Sequence, residues 1–195
     1  PFGLYTQTVA GDRGLILYSP LFVLGLLGII GYIKRLTLVT GIMVTNVLVV
    51  LFLYSSWGDP WGGWAYGPRY MISVMGLLSP FLASWIYASR GRISLFLKKS
   101  IALVLFIYSS AVALLGALTT STIPPKIEAD FLHMQHNFIR NIPFLLDSKA
   151  NSYVYNTFLS QHINLLQYYV LIAGSVILLA YFILFVIPAF SKNDS

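Results

Sequence analysis

Five long apolar runs, each about as long as a membrane-spanning helix, constrain this chain more than any other feature of its sequence. A bilayer core takes about 20 apolar residues per helix. The chain is 57% hydrophobic and only 9% charged, which excludes an ordinary soluble domain. We therefore expect an all-α integral membrane protein with about five transmembrane helices, at 15–33, 36–54, 70–88, 100–118 and 165–187.

The apolar runs divide the chain into three parts. Residues 1–118 form a four-span membrane region, in which 1–14 and 57–70 are loops. Residues 119–164 form a long loop, and residues 165–195 form the last span with a polar tail. In the first span, small residues recur at intervals of three, a pattern that lets another membrane helix approach closely. These small residues are Gly25, Gly28 and Gly31.

The long loop contains an apolar stripe at steps of three and four residues. This spacing predicts an amphipathic helix, which begins after Pro124-Pro125 and ends before Pro143. Polar residues on its other face indicate a helix that lies on the membrane surface or caps the bundle. The stripe consists of Ile127, Phe131, Met134, Phe138 and Ile142.

The charges predict which way the chain crosses the membrane. If the spans alternate, one side carries seven bases and one acid, and the other side carries five of each. The side rich in Lys and Arg is expected to be cytoplasmic. Loops 1–14, 57–70 and 119–164 then lie outside, and the C-terminus is cytoplasmic. Since topology accounts for the basic pI, the charge does not indicate nucleic-acid binding. The seven bases are Lys34, Arg35, Arg90, Arg92, Lys98, Lys99 and Lys192.

The loop at residues 57–70, here called the Trp loop, is unusual for a connector between spans. Its sequence, WGDPWGGWAYGPRY, holds three of the four tryptophans and four glycines, which predicts a fixed, irregular backbone. Pro68 favours the start of a helix, so that Arg69 would lie beside free backbone N–H groups. Such a place suits a phosphate or carboxylate. Alternatively, Arg69 extends to the membrane interface or braces Asp59.

The remaining polar and aromatic residues near the loops allow two interpretations each. The rings form either an interfacial aromatic belt or a platform for a sugar ring or an isoprenoid tail. Asp12 or Asp59 could serve as a base or orient a substrate hydroxyl. An ion pair of Asp12 with Arg13 or Arg69 is the structural alternative, and we favour it. The rings are Trp57, Trp61, Trp64, Tyr66 and Tyr70.

No metal or other cofactor is expected. His133 and His136 follow Glu128 and Asp130 at spacings that metal sites use, but three or four ligands must converge. On the polar face of a surface helix, solvated side chains are the default. The chain has no Cys, so disulfide and thiol chemistry are excluded.

Two segments together resemble a known family. Residues 12–20, DRGLILYSP, resemble the signature S-x-x-R-G-L-x-x-Y-S-P, and residues 61–70, WGGWAYGPRY, resemble W-G-G-x-x-x-G-P-R-Y/F. In this order they are similar to prokaryotic membrane proteins of the GT-C glycosyltransferase superfamily, in the protein mannosyltransferase and aminoarabinose transferase branch. The resemblance covers about the first ninety residues.

The resemblance implies a membrane transferase that takes a sugar from a polyprenyl-phosphate donor on the outer face. Arg13 and Arg69 would hold the donor phosphate, and the Trp loop with Asp59 would shape the pocket. In such enzymes the main catalytic acid lies in an outer loop nearer the N-terminus than any residue of this chain. Because the chain begins at Pro1 with no Met or signal segment, we expect it to be the C-terminal part of a longer polypeptide.

Two other functions stay open at this point. The chain could be a non-catalytic membrane subunit whose outer loops dock another membrane chain or protein. A transporter is a weaker alternative, because no span carries a charge in its middle, where an ion path would need one. The partners expected under the main hypothesis are membrane lipid and a polyprenyl-phosphate sugar.

Overall fold

A computed structural model describes residues 2–35, 37–89 and 91–187 of the chain. This part of the chain is all-helical and has no strand, as expected from the sequence. Arg90 and the predicted cytoplasmic tail with Lys192 lie outside the described residues. The α-helices are α1 Phe2–Thr8, α2 Leu15–Tyr18, α3 Leu21–Tyr32, α4 Leu38–Ser55, α5 Ile72–Tyr87, α6 Arg92–Leu118, α7 Lys126–Phe131, α8 Asn141–Leu146 and α9 Leu165–Tyr181.

Four helical segments are long and apolar enough to cross a membrane, so the protein is a multi-pass membrane protein. One begins at Arg69, because a 3-10 turn precedes α5, and another continues α9 through a π-helical turn at Phe182–Val186. About 20 apolar residues suffice for each crossing. The four segments are Leu38–Ser55, Arg69–Tyr87, Arg92–Leu118 and Leu165–Val186.

The prediction of one continuous helix at 15–33 is wrong. It is broken at Ser19 and Pro20 into α2 and the 12-residue helix α3. Proline has no N–H to donate, and its ring clashes with the carbonyl one turn earlier, so Pro20 disfavours the continuation of α2. Ser19 accordingly leaves the helical region, with φ −148° and ψ 64°.

Glycines bring α3 and α5 into close contact. A Cβ on Gly25 would lie 2.9 Å from the carbonyl oxygen of Leu78, and one on Gly28 would overlap the carbonyl oxygen of Phe81. The expected close helix approach is therefore confirmed at two of the three glycines. Gly31 differs, because a Cβ there would meet nothing within 4 Å.

Residues 1–14 were expected to be a loop, but α1 occupies half of them. A Cβ on Gly3 would overlap the carbonyl oxygen of Ser55, so α1 packs directly against the end of α4. The hydroxyl of Thr6 also donates to the carbonyl oxygen of Phe2, one turn earlier, at 3.1 Å. Packing of this kind, rather than local propensity, supplies most helical stability in proteins.

The expected amphipathic helix at 127–142 is wrong. α7 ends at Phe131, and His133 follows in the left-handed region with φ +52°. A second helical stretch starts only at Asn137, whose side chain caps Ile139, and it continues through Pro143 inside α8. Proline is tolerated there because it falls in the first turn of the helix, where the N–H is not needed.

This break gives the two halves of the apolar stripe different surroundings. In α7, Ile127 is 68% exposed and Phe131 is 84% exposed. Phe138, beyond the break, packs its ring edge-to-face against Tyr18 at 5.7 Å. The stripe is therefore not one face of one helix: Phe138 packs against the core, whereas Ile142 is 41% exposed.

Candidate functional site

Arg13 joins three separate segments at the end of the bundle that carries the Trp loop, here called the loop end. It is only 1% exposed. Its guanidinium donates to the carbonyl oxygens of Gly63 at 3.1 Å and Ala65 in the Trp loop. It also donates to the carbonyl oxygen of Ile123 in the long loop, at 2.6 Å. Because hydrogen bonds from a charged group are stronger than neutral ones, Arg13 holds these segments in one arrangement.

The charge of Arg13 is balanced mainly by carbonyl dipoles. Burial lowers the pKa of Arg13 from its ordinary value, and the neighbouring Tyr18, Asp12 and Asp59 oppose that change. Its Nε has no hydrogen-bond partner among the described residues. In the same part of the chain, no carboxylate comes within 4.0 Å of Arg13 or Arg69, so the favoured ion pairs with Asp12 are wrong. Carbonyl oxygens, which no sequence pattern displays, took the place of the carboxylate.

The Trp loop has the fixed, irregular backbone that its glycines predicted. The Oδ1 atom of Asp59 accepts from the backbone N–H groups of Trp61 at 3.2 Å and Gly62 at 3.1 Å. Gly62, Gly63 and Gly67 all have φ between +67° and +74°, a region that favours glycine. Asp59 thus stabilises a turn of the loop.

Tyr66 anchors the Trp loop to α6. Its hydroxyl donates to the carbonyl oxygen of Val112, and its ring lies where a Cβ on Gly116 would be. Tyr18 packs edge-to-face on Tyr66 at 5.3 Å and also fills the space where Gly67 has no side chain. Burial raises the pKa of Tyr66, so its hydroxyl stays protonated. Tyr66 is therefore a structural anchor, and its expected role in substrate binding stays a prediction.

The three tryptophans of the loop have different surroundings. The ring of Trp61 packs edge-to-face against Phe2 at 5.5 Å. The indole N–H of Trp64 donates to Glu128 in α7, which ties the Trp loop to the long loop. Trp57 is 57% exposed and Trp64 is 45% exposed. Trp61 is therefore the tryptophan that is built into the fold beside α1.

Arg69 is exposed and starts the 3-10 turn at Arg69–Met71 that leads into α5. Its guanidinium carbon lies 5.2 Å from the centre of the Tyr70 ring, and that ring stacks on Tyr54 at 4.2 Å. A Cβ on Gly62 would lie 2.9 Å from the Nε atom of Arg69. The Trp loop therefore passes close to the Arg69 side chain at Gly62, where a larger residue would collide with it. No brace between Arg69 and Asp59 is present.

The expected cradle of free N–H groups beside Arg69 is wrong. The N–H of Arg69 donates to the carbonyl oxygen of Gly67 at 3.0 Å, and that of Met71 donates to Pro68 at 2.8 Å. The N–H of Ile72 donates to the carbonyl oxygen of Arg69. The tight turn closes these short-range bonds, and they use the donors that an anion would need. Any anion at Arg69 would depend on the guanidinium itself.

A cleft of about 350 Å³ opens at the loop end, between α1, the turn before α2, the Trp loop and α7. We call it the loop-end cleft. Its walls combine aromatic rings with groups of both charges, while the turn residue Asp12 is only 4% exposed at its edge. The side chains that give the cleft its chemistry are Phe2, Tyr5, Trp61, Asp12, Asp130, Lys126 and His136.

Trp61 is the one residue of those expected to bind substrate that lines this cleft, and Asp12, the candidate base, lies in its wall as well. Arg13, Tyr66 and Asp59 hold the loop end together. Arg69 does not line the cleft, but its side chain packs against Gly62, the residue after Trp61. No sequence pattern predicted a role for Tyr5 or Lys126, which also line the cleft. A single ring or base in a loop carries no spacing that would single it out.

The metal hypothesis gains no support from the geometry. His136 lines the loop-end cleft, whereas His133 is exposed at the break after α7. Among the residues that the structure describes, no three His, Asp or Glu side chains are grouped as a metal site would require. His136 and Asp130 are better described as polar groups of the cleft wall.

Comparison with protein-family models, with curated protein sequences and with solved structures found no match for this chain. The resemblance to the GT-C superfamily therefore rests on the two motifs in residues 12–20 and 61–70. Both motifs lie at the loop end, where Arg13 of the first motif bonds to Gly63 and Ala65 of the second.

Proposed function

We propose that the chain is part of a membrane glycosyltransferase that moves a sugar from a polyprenyl-phosphate donor to an acceptor. The observation that carries the proposal is the loop-end cleft, which combines rings and carboxylates next to the ends of the spans. The two motifs that resemble the GT-C superfamily meet at the same end of the bundle and support it.

The cleft has the groups that a sugar requires. Aromatic faces such as those of Trp61 and Tyr5 suit the apolar faces of a sugar ring, and carboxylates accept hydrogen bonds from its hydroxyls. Asp12 and Asp130 supply those acceptors, and Lys126 can donate to an anionic or hydroxyl group. Pockets for small molecules typically combine a mainly apolar wall with a few polar groups of this kind.

Arg69 is the group that we assign to the donor phosphate. It is exposed and has no carboxylate partner within 4.0 Å among the described residues. A guanidinium matches the geometry of a phosphate, because two of its N–H groups can donate in parallel. Its position over Tyr70 at the start of a membrane span suits a phosphate whose lipid tail enters the bilayer.

We place the loop end on the outer face of the membrane. The support is the charge distribution, in which the other end carries the excess of Lys and Arg. A donor presented from outside would then reach the cleft and Arg69 without crossing the bilayer.

Transfer assays with the native protein test this function. Sealed right-side-out vesicles would receive labelled polyprenyl-phosphate mannose or aminoarabinose in their outer leaflet. We expect Arg69→Ala to lower transfer about 100-fold, since a phosphate contact in a transition state is worth that much. Trp61→Ala should lower it about tenfold through lost ring contact. Lys149→Ala serves as the control, because Lys149 pairs with Asp147 and does not line the cleft.

The assay has outcomes that count against the proposal. Unchanged transfer in both Arg69→Ala and Trp61→Ala would remove the roles given to these residues. Transfer only when the donor is supplied to the opposite leaflet would reverse the orientation. Loss of transfer accompanied by loss of the folded protein would not count as support, so folding is checked for each variant by size-exclusion chromatography.

A non-catalytic membrane subunit is the second candidate, and α7 favours it. Ile127 and Phe131 lie one turn apart, both strongly exposed, on a helix outside the spans. Exposed apolar pairs of this kind often mark contact surfaces. Two results together would favour this candidate. A partner chain co-purifies with the native protein and is lost in Phe131→Ser, and vesicles that contain the native protein show no transfer.

A further inference from the structure

A second cavity, of about 380 Å³, lies at the end of the bundle opposite the Trp loop, here called the basic end. It is formed where α3 and α5 finish and α6 begins. Polar groups are distributed over its wall, beside the flat faces of aromatic rings. The side chains that concern us are Tyr32, Ser84, Trp85, Tyr87 and Lys98, with Gly31 between them.

Lys98 provides a partly satisfied cation in this cavity. Its ammonium donates to the carbonyl oxygen of Trp85 at 2.8 Å and lies 4.9 Å from the centre of the Trp85 ring. These contacts fix the position of the ammonium in the wall. An ammonium has three N–H donors, so the carbonyl leaves two that can reach an incoming group.

The charge of this cavity is not neutralised from within the described chain. All the Asp and Glu residues that the structure describes belong to loops or short helices at the loop end, so none faces Lys98. Lys34 and Arg92 are exposed at the basic end but do not line the cavity. A cavity with a positive charge and no carboxylate favours an anion. The acids are Asp12, Asp59, Glu128, Asp130 and Asp147.

We propose that the basic-end cavity binds the phosphate headgroup of an anionic phospholipid. The Lys98 ammonium would donate to the phosphate, and the hydroxyls of Ser84 and Tyr32 could bond to its ester oxygens or to a polar headgroup. Basic pockets between membrane helices at this depth suit such headgroups. Leu27, which also lines the cavity, continues the wall towards the bilayer core, where the acyl chains would lie.

A larger side chain at Gly31 would fill this cavity without colliding with the rest of the protein. A Cβ on Gly31 meets nothing within 4 Å, although the residue lines the cavity. Gly31→Leu therefore places its side chain in the space that a headgroup would use. Gly174→Leu is the matched control, since Gly174 also has open space around it but lies in α9 away from the cavity.

The test is lipid binding to the full chain in detergent micelles, counted by native mass spectrometry. Dioleoylphosphatidylglycerol should bind about fivefold more tightly than dioleoylphosphatidylcholine, as one lysine near an anionic headgroup implies. Lys98→Met should abolish that preference, and Gly31→Leu should weaken binding of the anionic lipid. Lys34→Met removes an equal charge outside the cavity wall and should leave the preference close to that of the unchanged protein, as should Gly174→Leu.

Equal binding of the two lipids, or equal losses in Lys98→Met and Lys34→Met, would overturn the proposal. Glycerol 3-phosphate is added as a soluble competitor. If it displaces the anionic lipid at similar concentrations, the ligand is a soluble phosphate rather than a lipid, which also overturns the assignment. Retained lipid preference in Gly31→Leu would show that the headgroup lies elsewhere.

Discussion

Two regions of the loop end each contain an arginine, Arg13 and Arg69, and the two guanidinium groups have opposite surroundings. Arg13 is 1% exposed, and its guanidinium is bonded to carbonyl oxygens of two loops. Arg69 is exposed and contacts the face of Tyr70. The motifs that contain them suggested one shared function, phosphate binding. Burial and partners separate them instead into a residue that holds the site together and a residue that is accessible to a ligand.

The largest expected effect is the loss of stability when Arg13 is replaced. Arg13→Met removes three charged hydrogen bonds and leaves the buried carbonyl oxygen of Ala65 without its donor, while that of Ile123 keeps the N–H of Ala65 at 3.1 Å. We expect it to lower the free energy of unfolding by about 3 kcal/mol. The side chain of Arg69 makes no hydrogen bond to the described residues, so Arg69→Met should change the free energy of unfolding by less than about 0.5 kcal/mol. Denaturant unfolding in detergent micelles measures both values. Similar losses in the two variants would abolish the distinction.

The backbone of the Trp loop should show an intermediate effect. Gly67→Ala forces a side chain into the left-handed region and against the ring of Tyr18, which should cost about 1–3 kcal/mol. Gly58→Ala is the control, because a Cβ there meets nothing within 4 Å. The same unfolding measurement applies. If both alanines were neutral, the loop would not be as fixed as its glycines imply.

The smallest effect concerns one hydroxyl. Tyr66→Phe removes the hydrogen bond to the carbonyl oxygen of Val112 and keeps the ring, so we expect a loss of about 1 kcal/mol. Tyr70→Phe keeps the stack on Tyr54 and should be neutral within the error of the measurement. A larger loss for Tyr70→Phe than for Tyr66→Phe would contradict the view that the Arg69 side of the loop is accessible rather than structural.

Much of the fold followed from the sequence, because apolar runs of about 20 residues leave few alternatives to membrane helices. The errors occurred where one residue overrules a pattern. Pro20 ended α2, and His133 in the left-handed region ended α7, although the apolar spacing continued past both. α1 was missed for a different reason, since its contact with Ser55 is between residues far apart in the chain.

The candidate site was less predictable than the fold. Glycines in the Trp loop did indicate an irregular backbone, since few other residues adopt positive φ. The partners of Arg13 could not be anticipated, because every residue has a carbonyl oxygen and only the fold selects which ones face the guanidinium. The loop-end cleft likewise combines α1 with His136 of the long loop, residues that no local spacing connects.

The contact between Arg13 and Ile123 also sets an order of events during synthesis. The two residues are 110 positions apart, with the helices α2 to α6 between them. At about 5–20 residues per second, Arg13 leaves the ribosome about 5–20 s before Ile123 does. The nascent chain therefore carries a charged guanidinium at the membrane boundary while its last acceptor does not yet exist.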